Sequence, residues 1–293
     1  MVPDGAGGYI GTAGDVVGEG RVQFLNLWKQ VLDENPDFRT IAVANPPGVA
    51  GSGLRIALNI LQGKEVDQSK LEGPYGNTLY MPIPVVVTND NFQEVYDEYK
   101  DYPESYLLDG ILSEDDVQEF FVGGPTVEEE EAAEEEMAMG PFTVGVSNSF
   151  VGSEYRTQMI QILEDINSEY MDAGLTTDLV IESETTDVAG QIQQIQNLMN
   201  RGVDAIIINP GDVEGLNATL EEAVASGIVV IAIDQEIGAN GVINVAINQK
   251  EWAMTSAEWF AEEFTARTDG RYKVENYPAQ SLTKIPVALD AVK

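Results

Sequence analysis

Between Pro141 and Asn248 the sequence alternates short runs rich in Val and Ile with segments of helical periodicity. The apolar runs are Phe142–Ser147, Asp178–Ser183, Asp204–Ile208, Val229–Ile233 and Val242–Ala246. Each run is flanked by Gly, Asn, Asp or Ser, which is typical of strands that are buried on both faces of a sheet. Strands that alternate with helices predict an α/β fold, with a parallel sheet, helices on both faces and right-handed crossovers.

Polar residues follow all of the predicted strands. The strand ends read Asn148-Ser149-Phe150, Glu184-Thr185-Thr186, Asn209-Pro210-Gly211-Asp212, Asp234-Gln235 and Asn248-Gln249. Because ligands of parallel α/β folds bind at the carboxyl ends of the strands, these residues are candidates for a binding site. Their composition suits a small polyhydroxylated ligand better than a phosphate or a metal ion.

The leading candidate is Asp234, followed by Gln235, at the end of the fourth predicted strand. A carboxylate can accept hydrogen bonds from two ligand hydroxyls, and such charge-assisted bonds are stronger than neutral ones. Asn148 and Asn248 can both donate and accept through one amide group, which matches the dual character of a hydroxyl. For each of these residues a helix cap or a turn is an equally consistent role.

Two further residues lie close to the first strand end. The ring of Phe150 can stack on the C–H face of a sugar, although packing in the core is the alternative. Arg156 lies about one turn into the next predicted helix, from which it either reaches the site or pairs with a glutamate.

Composition removes several classes of function. Acidic residues outnumber basic ones 50 to 15, and the formal net charge of −35 disfavours binding to nucleic acid or to an anionic membrane surface. The sequence has no Cys and no His, which excludes thiol nucleophiles, Ser-His-Asp triads and Cys/His zinc sites. We therefore expect no cofactor and no metal site. No window approaches the ~20 apolar residues of a membrane span, and residues 1–20 lack the features of a signal peptide.

The amino-terminal part predicts fewer elements. A helix that contains Trp28 precedes a buried strand, Thr40–Ala44, and a second helix is stopped by Gly63. The extended stretch Leu79–Thr88 contains two prolines, which bar it from the centre of a sheet. Ser113 is the predicted N-cap of a short helix.

The predicted domain organisation has four parts. Residues 1–122 form a partial lobe, residues 123–140 an acidic linker, residues 141–266 the complete α/β lobe, and residues 267–293 an extra tail. The linker is predicted to be disordered because its glutamates repel one another. Calcium binding is the alternative for this run, but it lacks an Asp-rich loop with a glycine turn.

Several motifs carry a resemblance to a known family: Val144-Gly145-Val146-Ser147-Asn148, Gln191–Arg201, Ala205-Ile206-Ile207-Ile208-Asn209-Pro210 and Ile231-Ala232-Ile233-Asp234. From Phe142 to about Phe260 the chain resembles the periplasmic sugar-binding proteins of bacterial ABC importers, the ribose-binding-like type I group. The resemblance implies the amino-terminal lobe of a two-lobe clamp, in which Asn148, Phe150, Asp234 and Asn248 contact a sugar. The family often has Arg after the acidic residue, where this chain has Gln235.

Residues from Gly18 to about Asn91 resemble the carboxyl-terminal portion of the same family, through Thr40–Asn45 with its Pro-Pro-Gly and through Leu54–Val66. Glu19 and Asn45 are then the implied ligand contacts of the second lobe. The two halves therefore stand in reversed order, and the second lobe is incomplete. The tail, through Thr268-Asp269-Gly270-Arg271, is similar to the opening of TRAP-transporter binding proteins.

The resulting hypothesis is a non-enzymatic solute-binding protein that holds a sugar or related polyol between two lobes and presents it to an ABC permease. By family resemblance its location is periplasmic or extracellular. One alternative is a sensor or regulatory ligand-binding module, since one fold serves many functions. A less favoured alternative is an enzyme that uses the carboxylates Glu19 and Asp234 across the cleft.

Overall fold

A computed structural model describes residues 2–3, 9–10, 20–123 and 140–271. Most of the predicted acidic linker, the tail beyond residue 271 and Glu19 lie outside the described residues. The strands are β1 (Val2–Pro3), β2 (Tyr9–Ile10), β3 (Ala42–Val43), β4 (Thr78–Met81), β5 (Val86–Val87), β6 (Val144–Asn148), β7 (Val180–Ser183), β8 (Ala205–Asn209), β9 (Val229–Ile233) and β10 (Ile243–Ile247). The α-helices are α1 (Val22–Glu34), α2 (Val49–Leu61), α3 (Phe92–Tyr99), α4 (Glu114–Gln118), α5 (Glu154–Asp172), α6 (Val188–Asn200), α7 (Asn217–Ala225) and α8 (Gln249–Arg267).

The main structural unit is a six-stranded sheet in the order β4-β10-β9-β8-β6-β7. Every pair of neighbouring strands in it is parallel. The predicted α/β class and parallel sheet are confirmed, and the five predicted strands of residues 141–248 agree with β6 to β10 to within two residues at their ends.

Strand β4 joins this sheet from the amino-terminal part of the chain. Its residues pair in parallel with β10, with Leu79 opposite Val245 and Met81 opposite Ile247. The strand lies at the edge of the sheet and ends immediately before Pro82. The prediction that the prolines exclude this stretch from the centre of a sheet is therefore confirmed.

Helices cover both faces of the sheet, as predicted. On one face α2 and α5 pack against β6, β8, β9 and β10, with Leu54 and Met159 fully buried among the strand residues. On the other face α6 and α7 contribute Ile195, Leu198 and Leu220 to a second core. Burial of each of these side chains stabilises the fold by roughly 1.5–3 kcal/mol relative to exposure.

Two glycines allow α2 to approach the sheet and α5 closely. A Cβ atom added at Gly53 would lie 2.9 Å from Cγ2 of Ile233 in β9, and one added at Gly51 would lie 2.3 Å from Cδ1 of Ile166 in α5. Since protein interiors are close-packed, side chains at these positions would force the helix away from its neighbours.

A smaller α/β unit has its own core, which corresponds to the predicted partial second lobe. Strands β3 and β5 pair antiparallel, and α1 and α3 cover one face with Leu25, Trp28 and Phe92. The other face packs against α8, where Nε1 of Trp252 donates a hydrogen bond to the carbonyl of Val43 over 3.1 Å. Residues 20–123 therefore contribute to both units, and the domain boundaries drawn from the sequence stay a prediction.

Two local signals read from the sequence are present in the structure. Ser113 is the N-cap of α4 in a capping box, because its side chain accepts from the backbone N–H of Asp116 and the Asp116 carboxylate accepts from that of Ser113. Gly63 follows α2 with a φ of 91° and donates its N–H to the carbonyl of Ile60 over 2.9 Å. This left-handed conformation is the usual way for a helix to end at glycine.

Candidate functional site

The carboxyl ends of the parallel strands bring the predicted site residues to one edge of the sheet. Asn148 at the end of β6 lies opposite Asn209 of β8 on one side and Ser183 of β7 on the other. Asp234 follows β9, the strand beside β8, and Asn248 follows β10. This cluster forms because the strands share one direction and therefore end at the same edge of the sheet. No local signal in the sequence creates it.

Asn148 is buried and its amide makes contacts within the loop. Its Nδ2 donates to the carbonyl of Phe150 over 2.8 Å and to Oγ of Ser183 over 2.9 Å. Its Oδ1 accepts from the Arg156 guanidinium over 3.3 Å. These bonds correspond to the turn-forming alternative, while contact of Asn148 with a ligand stays a prediction. The Arg156 side chain therefore reaches the strand ends. Arg156 lies in the first turn of α5, and Ser153 is the N-cap of that helix.

Asp234 has an unusual backbone conformation and lies near two residues of α5. Its φ of 68° is in the left-handed region, which Asp tolerates better than most residues. Burial raises the pKa of the Tyr155 hydroxyl, and the charge of Asp234 raises it further. Burial lowers the pKa of Arg156, while the Asp234 carboxylate opposes that shift. Asp234 is therefore within electrostatic reach of a phenol and a cation.

Asn45 and Asp234 line the same cavity, although they belong to different units of the fold. The cavity has a volume of ≈ 470 Å³ and is lined by Asn45, Pro74, Tyr75, Asp234, Gln235, Glu236, Ala246, Ile247 and Gln249. Asn45 reaches it from the end of β3, and Asp234 and Gln235 from the end of β9. Its size is within the ≈ 300–1,000 Å³ range of small-molecule sites.

Phe150 and Asn248 lie at the strand ends but do not line this cavity among the described residues. Phe150 is 45% exposed and its ring lies over Gly152, where an added Cβ would be 2.7 Å from the ring. Asn248 is the N-cap of α8, because its Oδ1 accepts from the backbone N–H groups of Lys250 and Glu251 over 3.1 and 3.2 Å. Their roles as ligand contacts stay predictions.

Sequence reasoning did not single out three residues of this region, Tyr75, Tyr155 and Glu236. Tyr155 donates its hydroxyl to the carbonyl of Pro46 over 3.3 Å, which connects α5 to the segment after β3. Tyr75 and Glu236 line the cavity. Of these three residues, Glu236 had a usable signal, since it follows Asp234 by two residues. Asn209, at the end of β8, has a buried Oδ1 without a hydrogen-bond partner in the part of the chain that the structure describes.

A buried polar network supports the ends of β6 and β8. Nε2 of Gln191 donates to the carbonyl of Asn209 over 2.9 Å, and its Oε1 accepts from the N–H of Gly211 over 2.8 Å. Gln194 accepts from Oγ of Ser147 over 2.9 Å and donates to the carbonyl of Asn148 over 3.4 Å. Because unpaired buried polar groups are costly, these bonds fix the loops that carry the candidate site.

In the ranges 20–123 and 140–271 no group of three or more acidic residues is arranged to hold a metal ion. Within the same ranges no helix is long and apolar enough to cross a membrane.

Comparisons with known proteins find matches to part of the chain. Residues 144–277 match a family model described as a periplasmic binding protein domain. The chain is 26% identical over 145 residues to the ribose import binding protein of Bacillus subtilis. This match covers 49% of this chain and 45% of that protein. The chain is also 33% identical over 94 residues to a putative rhizopine-binding protein of Rhizobium meliloti. This match covers 32% of this chain and 29% of that protein.

Solved structures give a partial match as well. An ABC transporter solute-binding protein of Mycobacterium smegmatis with bound glycerol is 26% identical, with a TM-score of 0.30 and coverage of 35% of each chain. The chain thus spans less than half the length of the curated relatives it matches. The parallel sheet, with polar residues at its carboxyl edge, is in the same part of the chain as the match to the periplasmic binding protein domain model, residues 144–277.

Proposed function

We propose that this chain is a non-enzymatic solute-binding protein that binds a sugar or related polyol between its two α/β units. The observation that carries the proposal is the shared cavity of Asn45 and Asp234, which the two units line together. A ligand there touches both units at once, which is how binding between hinged lobes favours their closure. The curated relatives, by name a ribose import protein and a putative rhizopine-binding protein, support a small polar ligand.

The lining chemistry supports an uncharged, hydroxyl-rich ligand. Asp234 and Glu236 accept hydrogen bonds when ionised, while Asn45, Gln235 and Gln249 both donate and accept. Ligand hydroxyls satisfy both kinds of partner. An anionic ligand would meet two carboxylates on the cavity wall, and this repulsion disfavours sugar phosphates and sugar acids.

The proposal includes the transport partner and the cellular location of the protein. The match of residues 144–277 to a periplasmic binding protein domain supports presentation of the ligand to an ABC permease, in a periplasmic or extracellular location. The names of the curated relatives, an import binding protein and a putative rhizopine-binding protein, support binding without turnover. The less favoured alternative, a carboxylate enzyme that uses Glu19 and Asp234, is tested by the search for turnover described below.

A thermal-shift screen over neutral pentoses, hexoses and polyols tests the proposal. A ligand that binds only the folded state stabilises it by about 2.7 kcal/mol at a hundred times its Kd, which gives a clear rise in Tm. Isothermal titration on each hit gives the Kd, and product analysis after long incubation detects turnover. The proposal fails if no compound shifts Tm, or if the protein hydrolyses or isomerises the compound that binds.

A further inference from the structure

Tyr75 is the one aromatic residue among the described residues that line the cavity. Its side chain is 52% exposed, so part of the ring is accessible to a ligand. Neither the strand-end pattern nor the position of Phe150 points to it, because Tyr75 precedes the edge strand β4 rather than following a strand.

The loop that carries Tyr75 is closed by backbone hydrogen bonds. Glu72 donates its N–H to the carbonyl of Thr78 over 2.8 Å, and Thr78 donates back to Glu72 over 3.1 Å. Between them, Gly76 donates to the carbonyl of Gly73 over 3.3 Å. A ring on such a short closed loop loses little freedom when a ligand binds, which favours its use as a contact surface.

Side chains attach this loop to the segment that follows Asp234. Oε1 of Glu236 accepts from Oγ1 of Thr78 over 2.8 Å and from the hydroxyl of Tyr80 over 2.7 Å. Nδ2 of Asn77 donates to the carbonyls of Ile237 and Val242 over 3.1 and 2.9 Å. The position of Tyr75 relative to Asp234 is therefore set by several bonds.

The ring of Tyr75 also packs directly on the backbone of Gly238. A Cβ atom added at Gly238 would lie 2.9 Å from both Cδ1 and Cε1 of the ring. Any side chain at residue 238 would therefore displace the ring from its place on the cavity wall.

The walls around the ring differ in character. Pro74, Ala246 and Ile247 provide apolar surface, while Asp234, Glu236 and Asn45 provide hydrogen-bond partners. A ring-shaped polyol has the matching shape, with an apolar C–H face and a rim of hydroxyls. An acyclic polyol has no comparable flat face for an aromatic ring to cover.

We infer that Tyr75 is a specificity-determining residue, whose ring stacks on the C–H face of an uncharged, ring-shaped polyol while Asp234 and Asn45 bind its hydroxyls. The inference rests on the proposed function and narrows its ligand class to cyclic sugars and cyclitols. Selection of this class thus comes from the loop before the edge strand, in addition to the ends of the central strands.

The test is isothermal titration of the full chain with cyclic and acyclic polyols of similar size, such as glucose and myo-inositol against sorbitol, and with glucuronate as the charged analogue. The wild-type protein is expected to bind a cyclic compound more tightly than sorbitol or glucuronate. Tyr75→Ala is expected to weaken that binding about three- to ten-fold, the range of an aromatic contact, and Tyr75→Phe to retain it. Tyr102→Ala, at a tyrosine that is 48% exposed and does not line the cavity in the described residues, is the matched control and should bind like the wild type.

Each outcome decides the inference. Unchanged affinity in Tyr75→Ala, or equal binding of sorbitol and the cyclic compounds, overturns it and leaves the proposed function in place. Absence of binding to every polyol by the wild-type protein overturns the proposed function and the inference together. Gly238→Ala, which displaces the ring without removing it, should also weaken binding, and wild-type affinity in that variant overturns the inference even if Tyr75→Ala fails to fold.

Discussion

The hydroxyl of Tyr80 donates a hydrogen bond to Oε1 of Glu236 over 2.7 Å, and this bond links the edge strand β4 to the loop after β9. Burial raises the pKa of Tyr80 above its usual value, and the hydrogen bond to Glu236 raises it further. The phenol therefore stays protonated, and remains a donor, over the whole physiological pH range.

This contact predicts an energetic coupling between Tyr80 and Glu236. A double-mutant cycle with Tyr80→Phe and Glu236→Ala should give a coupling energy of about 1–2 kcal/mol in the free energy of unfolding. Urea denaturation of the four proteins provides the measurement. A cycle with Tyr102→Phe in place of Tyr80→Phe is the control and should give additive effects.

Asp234→Asn should weaken ligand binding about ten- to a hundred-fold, because a hydrogen bond to a charged group contributes roughly 1.5–3 kcal/mol. Asn also tolerates the left-handed backbone at this position, so Tm without ligand should stay near the wild-type value. Titration calorimetry and thermal melts separate the two effects.

Asp212→Asn is the matched control for this experiment. Asp212 lies in the loop after β8, where its carboxylate accepts from the N–H groups of Glu214 and Gly215. It does not line the cavity within the described residues, so its replacement should leave the Kd unchanged. Equal affinity of Asp234→Asn and the wild type would place the ligand elsewhere.

Asp109 predicts a specific pH dependence of stability. Burial raises the pKa of its carboxyl, and hydrogen bonds from Gly48, Gly110 and Gln158 oppose the shift without cancelling it. An acid whose pKa is higher in the folded state stabilises the protein below its unfolded-state pKa, and this contribution is lost as the pH rises through the folded-state pKa. The free energy of unfolding of the wild type should therefore fall, relative to that of Asp109→Asn, as the pH rises through that window.

Denaturant melts from pH 3 to pH 7, with both proteins at the same ionic strength, measure this difference. The comparison with Asp109→Asn cancels the contribution of the many other carboxylates. A difference that is constant across the range, or one that moves in favour of the wild type as pH rises, would contradict the raised pKa.

Leu54→Ala should lower the free energy of unfolding by about 2–5 kcal/mol, because it leaves a cavity between α2 and the sheet. Leu54 is fully buried in the core that α2, α5 and the strands share. Hydrogen exchange should show faster opening of β9 and β10 as well as of α2, since these elements pack together. Leu27→Ala, at a residue of α1 that is 46% exposed, is the control and should change stability by less than about 0.5 kcal/mol.

The fold class could be predicted because its signal is local and repeated. Runs such as Val229–Ile233 and the periodic helices between them are set by burial on both sides, and the structure reproduces them. The caps at Ser113 and Gly63 were also predictable, since each depends on a few adjacent residues. The edge position of β4 followed from the prolines after it.

The composition of the cavity could not be predicted in the same way. The position of Tyr75 depends on the pairing of β4 with β10 and on bonds to Glu236, which join residues far apart in the sequence. The orientation of Phe150 likewise depends on contact with Gly152. The ends of the strands indicate which backbone positions lie close together. Which of their side chains face a ligand depends on contacts with side chains from other segments.

The close packing of α2 on the sheet has a consequence for biosynthesis. Gly51 and Gly53 shape this helix for contact with Ile166 and Ile233, which the ribosome adds much later than the helix itself. At about 5–20 residues per second, the apolar face of α2 waits on the order of ten seconds or more for its partners. During that interval the nascent chain exposes an aggregation-prone apolar surface. The yield of folded protein in cells should therefore depend on chaperones that cover this surface until β9 has been translated.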